Sequence, residues 1–212
     1  MNKYKFKHFY KNKYLISLLG KNKYYLSYNY KYKCLWFRVA KVASRSINQH
    51  FIDNTPEGQY IYSSEVGYLP SDFKDYIKFS FVRDPLDRFV SCWKNKVLYD
   101  NMYAFDEQTH TQMKEINHFI NWVKGQDLNK TADEHLRSQH SLIDLNNLDF
   151  LGRFENFDQD LEILSKKIGL PLKEAHKMNP SGSKKVELSD ADIKEIKSIY
   201  ELDYRLFYPD QL

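Results

Sequence analysis

The sequence predicts an α/β fold in which helices flank a mainly parallel sheet within a single domain. From residue 34 onward, apolar runs of strand length alternate with amphipathic helical patterns, an order typical of parallel sheets. Hydrophobic residues make up 42% of the chain and charged residues 28%, which indicates a globular rather than a disordered protein. A length of 212 residues suits one domain with a substantial core.

The individual elements follow from periodicity and capping signals. Strands are predicted at residues 34–40, 59–63, 77–82 and 148–152. Helices are predicted at residues 45–52, 85–97, 113–123, 157–168 and 190–200. Asp84 fits an N-cap with Pro85 at the first helical position, and Ser189 with Asp192 forms a capping-box pattern. The polar stretch 100–112 predicts a loop.

Residues 1–33 are predicted to form a basic, aromatic N-terminal extension, with residues 34–212 forming the domain. The extension holds nine Lys and no Asp or Glu. Residues 34–212 therefore carry a net negative charge, although the net charge of the whole chain is +4. Lys interleaved with Tyr and Phe is compatible with single-stranded nucleic acid, an acidic polysaccharide or a membrane surface. The plainer interpretation is a solvated extension with a few aromatics packed on the domain. No recognised nucleic-acid motif accompanies the pattern, so we expect no nucleic-acid partner.

Cysteine usage and hydropathy exclude several classes. Cys34 and Cys92 belong to no CxxC pair and no His/Cys ligand spacing, which excludes a disulfide scaffold and predicts no metal. No apolar run reaches the roughly 18 residues that span a bilayer, and no signal-peptide pattern is present. We therefore expect a cytoplasmic protein without a transmembrane segment, for which peripheral membrane contact stays open.

The first strand-to-helix junction, residues 41–46, carries the chemistry of an anion site. Lys41, Arg45 and two hydroxyls lie where backbone N–H groups are unpaired and the helix dipole is positive, an arrangement that favours phosphate or sulfate. It is not a Walker A loop, which needs glycines and a late Lys. The alternative interpretation is an ordinary turn with a surface Lys.

A second junction follows the strand at residues 77–82. Arg83 lies where a guanidinium can fork onto a phosphate, and Ser91 lies two helical turns further on. The alternative for Arg83 is a salt bridge to Asp84, Asp87 or Glu155. Because ligands bind outside the carboxyl ends of parallel strands, the two junctions are expected to face one crevice.

Together these segments resemble the sulfotransferases that use 3′-phosphoadenosine 5′-phosphosulfate (PAPS). Residues 41–46 look like their 5′-phosphosulfate loop, and residues 81–91 are similar to their 3′-phosphate motif. Residues 152–161 and 200–208 resemble signatures of the branch with chondroitin- and HNK-1-type carbohydrate sulfotransferases and bacterial relatives. Ala40 and Ala43 depart from the Pro and Gly often found there, which predicts a slightly different loop shape.

The resemblance implies a P-loop-NTPase-like fold and transfer of a sulfuryl group from PAPS to a hydroxyl of an acceptor. The expected acceptor is a carbohydrate, and an anionic glycan is compatible with the basic N-terminal segment. Lys41 would stabilise the charge that develops during in-line displacement, and no metal is required. The absence of the Golgi enzymes' anchor fits a bacterial or viral soluble form. The expected PAPS-binding residues are Lys41, Val42, Ala43, Ser44, Arg45, Ser46, Arg83, Ser91, Lys184 and Lys185.

A general base should accept the acceptor proton, and histidine suits this task. His135, which Asp133 or Glu134 could orient, resembles a segment that lines the acceptor cleft in the chondroitin-type branch. His50 and then His140 follow as candidates, and each could instead be a structural histidine. Two other functions stay open: a P-loop-like kinase or nucleotide-binding module, and a non-enzymatic binder of acidic polymers.

Overall fold

The structure is a computed structural model that describes residues 5–18, 22–171 and 186–212, without the side chains of residues 5–7. The described chain forms two compact units. The first contains the residues up to Val82 and those from Leu142 to residue 171. The second contains Arg83–Ser141 and the residues from 186 to Leu212.

A five-stranded sheet organises the first unit. Its strands are β1 (Lys23–Asn29), β2 (Cys34–Phe37), β3 (Tyr60–Gly67), β4 (Ile77–Val82) and β5 (Phe150–Arg153). They are ordered β3-β1-β2-β4-β5. The β2–β4 and β4–β5 pairs are parallel, whereas β1 is antiparallel to both β2 and β3. Four strands therefore run in one direction, which confirms the predicted α/β class with a mainly parallel sheet.

Helices cover both faces of this sheet. On one face lie α1 (Ser44–Asn54) and α5 (Phe157–Ile168), where Phe51 of α1 packs on Phe79 and Phe157 of α5 packs on Phe81. The opposite face carries a π-helix, Lys5–Ile16, and a 3₁₀ helix, Pro70–Phe73. There His8, Tyr28 and Phe73 stack together. The alternation of side chains along each strand thus supplies two apolar layers.

Strand β1 lies inside the segment that the sequence pattern assigns to an N-terminal extension. Its Tyr24, Leu26 and Tyr28 face the π-helix side and are buried. The polar Ser27 and Asn29 on the opposite face are buried as well, and Asn29 donates to Thr55 Oγ1 at 2.8 Å. The sequence pattern did not predict this strand, because tyrosines rather than aliphatic residues form its apolar face and the flanking lysines dominate the composition of the segment.

The second unit is helical. It comprises α2 (Pro85–Trp93), α3 (Glu107–Met113), α4 (Ile116–Lys124), α6 (Asp190–Ile199) and α7 (Glu201–Phe207). Its core joins Phe89 of α2, Phe119 of α4 and Ile196 of α6. The loop predicted at residues 100–112 is wrong in its second half, where α3 forms. Asp106 caps this helix by accepting a hydrogen bond from the backbone N–H of Thr109. Because α3 buries no residue, its sequence lacks the apolar periodicity that predicts a helix.

Gly152 allows β5 to pack closely on β4. A Cβ at this position would overlap the Phe81 ring. We expect Gly152→Ala to lower the free energy of unfolding by about 1–3 kcal/mol, because overpacking forces side chains off their rotamers. Thermal and denaturant unfolding measure this loss. Gly125→Ala is the matched control, since a Cβ there meets only the Trp122 carbonyl oxygen at 3.4 Å. Equal stability of the two variants would contradict the packing argument.

The structure also bears on the cysteines and on membrane-spanning helices. Cys34 and Cys92 are both buried and form no disulfide. Within residues 5–18, 22–171 and 186–212, no helix is long and apolar enough to cross a membrane.

Candidate active site

The loop after β2 has an unusual backbone. Lys41 and Ala43 have φ values of 71° and 61° on either side of the buried Val42. Left-handed conformations cost about 1–2 kcal/mol in residues with a Cβ, so the fold imposes this shape. Ala43 takes a conformation that a Gly would adopt readily, so an Ala at this position does not prevent a left-handed turn. Turns of alternating hand direct successive N–H groups to one side and favour an anion.

Helix α1 begins immediately after this turn. Ala43 is its N-cap, and among the described residues no side chain caps its first N–H groups. The Ser44 hydroxyl donates to the Val39 carbonyl at 2.7 Å, so Ser44 fastens the turn to the end of β2. Arg45 is exposed, whereas Lys41 and Ser46 are half-buried. The uncapped helix end with a neighbouring Lys has the chemistry of an anion site.

The second junction follows β4, the parallel neighbour of β2 in the sheet. Asp84 caps α2 by accepting from Asp87 N at 2.9 Å, and Pro85 is the first helical residue, as predicted. Nη2 of Arg83 lies 3.9 Å from the exposed Asp87 carboxylate. Such a long, partly exposed ion pair contributes little stability.

Gln139 fixes the backbone of Arg83. Its Oε1 accepts from Arg83 N at 3.0 Å and its Nε2 donates to Arg83 O at 2.8 Å. Gln139 is in turn held by Asp203 of α7, which accepts its backbone N–H at 2.7 Å. Both side chains are fully buried. A buried network with satisfied partners of this kind is rigid, so it fixes the backbone at Arg83 within the second unit.

Helix α2 also supports the segment that carries the candidate histidines. The Arg88 guanidinium is buried and donates to the carbonyls of Glu134 and Arg137, at 3.1 and 2.9 Å. These carbonyls flank His135. Ser91 is half-buried on the same helix.

Two histidines of this segment each contact a carboxylate. His135 Nδ1 lies 2.7 Å from Asp133 Oδ1. Burial acts to raise the pKa of Asp133, but the hydrogen bonds and charge of His135 outweigh it, and the net shift is downward. His140 Nδ1 lies 2.7 Å from Oδ1 of Asp203, the carboxylate that also holds Gln139. In each pair the carboxylate orients the ring and leaves Nε2 as the proton acceptor.

The model of the sulfotransferase family matches residues 25–209, most of the chain. The chain belongs to the sulfotransferase family. It is therefore a member of a family of enzymes that transfer sulfuryl groups, and the sulfotransferase prediction is confirmed. The match includes β1 as well as the junctions after β2 and β4. No curated protein and no solved structure matches the chain significantly.

The remaining expected site residues of the sulfotransferase are less informative. Lys184 and Lys185 lie outside the described residues. In the described part of the chain, no group of three or more His, Cys, Asp and Glu side chains could hold a metal ion. Sequence patterns missed Gln139, Asp203 and Arg88. Arg88 carries the one usable signal, because it lies one helical turn beyond Asp84 on the same face of α2.

His50 of the sulfotransferase is buried between α1 and α5. Its Nε2 lies 3.3 Å from Ser165 Oγ, and its Nδ1 lies 3.5 Å from the Asn54 amide nitrogen. It also lies six residues beyond the start of α1, about 9 Å along the helix axis. The engaged ring and the distance from the helix N-terminus favour a structural role over that of a base.

We expect His50 to make folding stability depend on pH. Burial lowers the pKa of His50 below its ordinary value of 6.5, and the charge of Asp53 offsets only part of this shift. The neutral ring therefore contributes stability above pH 6.5, which is lost as the pH falls toward the lower folded pKa. Unfolding free energies measured from about pH 7.5 to about pH 5 should fall more steeply for the natural protein than for His50→Gln. Parallel profiles would contradict this assignment.

Proposed function

We propose that this sulfotransferase moves a sulfuryl group from PAPS to a hydroxyl of a carbohydrate by in-line displacement. The observation that carries the proposal is the uncapped N-terminus of α1 behind the turn that contains Lys41. PAPS is also the usual donor of the family to which the chain belongs. The donor supplies the activated sulfuryl group. The residues of the chain bind the donor, stabilise the charge that develops during transfer and remove the proton of the acceptor hydroxyl.

Residues 41–46 are proposed to bind the 5′-phosphosulfate. Negative charge builds up on the bridging oxygen as the bond to sulfur breaks, and a cation at that oxygen stabilises this state more than the ground state. Lys41 is proposed for this role. Backbone N–H groups at the start of α1 would hold the remaining oxygens, with Arg45 and Ser46 beside them. Ser44 would act mainly by fixing the turn.

Arg83 and Ser91 are proposed to bind the 3′-phosphate. A guanidinium matches phosphate oxygens in a bidentate manner, and Gln139 and Asp203 hold the backbone that carries it. Charge-assisted hydrogen bonds to this phosphate would give PAPS a higher affinity than nucleotides that lack the 3′-phosphate.

His135 is proposed as the general base. Its contact with Asp133 fixes the ring and stabilises the imidazolium that forms when it accepts the acceptor proton. His140, with Asp203 behind it, has the same geometry and is the alternative.

Ligand-induced thermal stabilisation tests the proposed donor against the kinase alternative. The product 3′-phosphoadenosine 5′-phosphate (PAP) should raise the melting temperature without Mg²⁺, because a ligand that binds only the folded state stabilises it. ATP with Mg²⁺ should give a smaller rise. A larger effect of ATP with Mg²⁺, or no effect of PAP at saturating concentration, would contradict the proposal.

A further inference from the structure

A polar cavity of about 330 Å³ lies in the first unit, apart from the residues assigned above. Its walls include Asn22, Tyr24, Tyr68, Asp144 and Asn147. Ligand pockets measure about 300–1,000 Å³, so this β1–β3 cavity is suited to a ligand of roughly one sugar ring.

The wall contains an aromatic pair with one unsatisfied group. Tyr24 and Tyr68 pack edge to face, with ring centroids 5.7 Å apart. Tyr68 is 4% exposed, and its hydroxyl faces the Asp144 carboxylate without forming a hydrogen bond of ordinary length among the described residues. A buried hydroxyl without a close hydrogen-bond partner is unfavourable. A ligand hydroxyl placed between Tyr68 and Asp144 would satisfy it.

The remaining polar groups define the charge of a suitable ligand. Asp144 is the only charged side chain among the described residues that line the cavity, and it accepts from Asn147 Nδ2 at 2.8 Å. After burial, its negative charge is the largest cause that raises the pKa values of Tyr24 and Tyr68, so it faces both phenols. A carboxylate and amide groups bind hydroxyls well, whereas an anionic ligand would be repelled.

The cavity shares an edge of the sheet with the loop that contains Lys41. Tyr68 follows the last residue of β3, and its N–H donates to the carbonyl of Asn22, just before β1, at 3.1 Å. Arg38 N–H donates to the Tyr25 carbonyl at 2.8 Å, so β1 stays paired with β2 almost to Lys41. Neighbouring strands are only about 4.8 Å apart. The cavity at β1 and β3 therefore lies beside the end of β2, from which the chain enters the loop that contains Lys41.

We propose that the β1–β3 cavity is the acceptor subsite and takes one neutral hexose unit. This assignment rests on the proposed sulfuryl transfer. The aromatic wall contacts the sugar ring, while Asp144, Asn22 and the Tyr68 hydroxyl bind its hydroxyl groups. The subsite therefore selects a neutral sugar at this position over the corresponding uronic acid.

Methyl hexopyranosides and the corresponding methyl hexuronides are the matched probes, used as acceptors with PAPS and as ligands in ligand-observed NMR. Tyr68→Phe should raise the KM for the hexoside about 2- to 10-fold, because one hydrogen bond is lost, without lowering thermal stability. Asp144→Asn should reduce the preference for hexoside over hexuronide by about 5-fold. PAP affinity should stay unchanged in both variants. Tyr99→Phe, which removes a phenol that is 73% exposed, is the control.

Unchanged hexoside KM and NMR binding in Tyr68→Phe, or unchanged charge preference in Asp144→Asn, would overturn the subsite. The NMR experiment needs no turnover, so it tests the cavity independently. Failure of the natural protein to bind PAP or consume PAPS would instead overturn the proposed function.

Discussion

Replacing Lys41 with alanine should lower kcat for sulfuryl transfer by about 10²- to 10³-fold, the effect of removing one donor that stabilises transition-state charge. Lys41 lies in the left-handed turn before α1, where no described side chain caps the helix and a helix N-terminus favours an anion. Its ammonium is proposed to meet the bridging oxygen, whose negative charge grows from the bound donor to the transition state as the bond to sulfur breaks. The loss should therefore appear in kcat more than in KM for PAPS.

Binding measurements separate this role from a general effect on the fold. The affinity of Lys41→Ala for PAPS, measured without acceptor, should stay within a few-fold of that of the natural protein, because the bridging oxygen of the intact donor carries less charge than it does in the transition state. Lys194→Ala removes an exposed Lys of α6 and is the charge-matched control. If Lys41→Ala keeps its kcat, or loses PAPS affinity as much as turnover, Lys41 does not act on the leaving oxygen.

Replacing Arg83 with alanine should weaken PAP binding by about 10- to 150-fold, because hydrogen bonds between charged groups contribute about 1.5–3 kcal/mol. Arg83 Nη2 lies 3.9 Å from the Asp87 carboxylate, and Gln139 fixes the Arg83 backbone on both sides. Arg83→Lys should bind with intermediate affinity, since an ammonium retains the charge but cannot form the bidentate contact.

A ligand without the 3′-phosphate provides the control for Arg83. Titration calorimetry with AMP should show weak binding to the natural protein and no further loss in Arg83→Ala. The coupling free energy between Arg83 and the 3′-phosphate is then the binding free energy that Arg83→Ala loses for PAP minus the binding free energy that it loses for AMP. Equal losses for PAP and AMP would mean that Arg83 supports the site without contacting this phosphate.

Local signals in the sequence predicted the elements around the junctions well. The strand predicted at residues 77–82 is β4 with the same bounds, Ile77–Val82. Asp84 caps α2, and Ser189 with Asp192 forms the predicted capping box at the start of α6. Each of these features depends on residues within a few positions of one another, so one segment of sequence contains the whole pattern.

Long-range contacts could not be predicted in the same way. Gln139 holds Arg83 across 56 residues of sequence, and Asp203 holds Gln139 across 64. Gln139 lies in no local motif, and the 200–208 signature that contains Asp203 does not name its partner, because that partner depends on what the fold brings beside it. Strand β1 was missed for a related reason: its tyrosines become an apolar face only when the π-helix covers them.

The most direct test incubates the purified protein with PAPS and a panel of carbohydrate acceptors, and measures PAP release together with the mass of each acceptor. The account predicts stoichiometric PAP and a sulfated product, both reduced about 10²- to 10³-fold in Lys41→Ala. If PAPS remains unconsumed across the panel while ATP with Mg²⁺ is turned over, the chain is not a PAPS-dependent sulfotransferase.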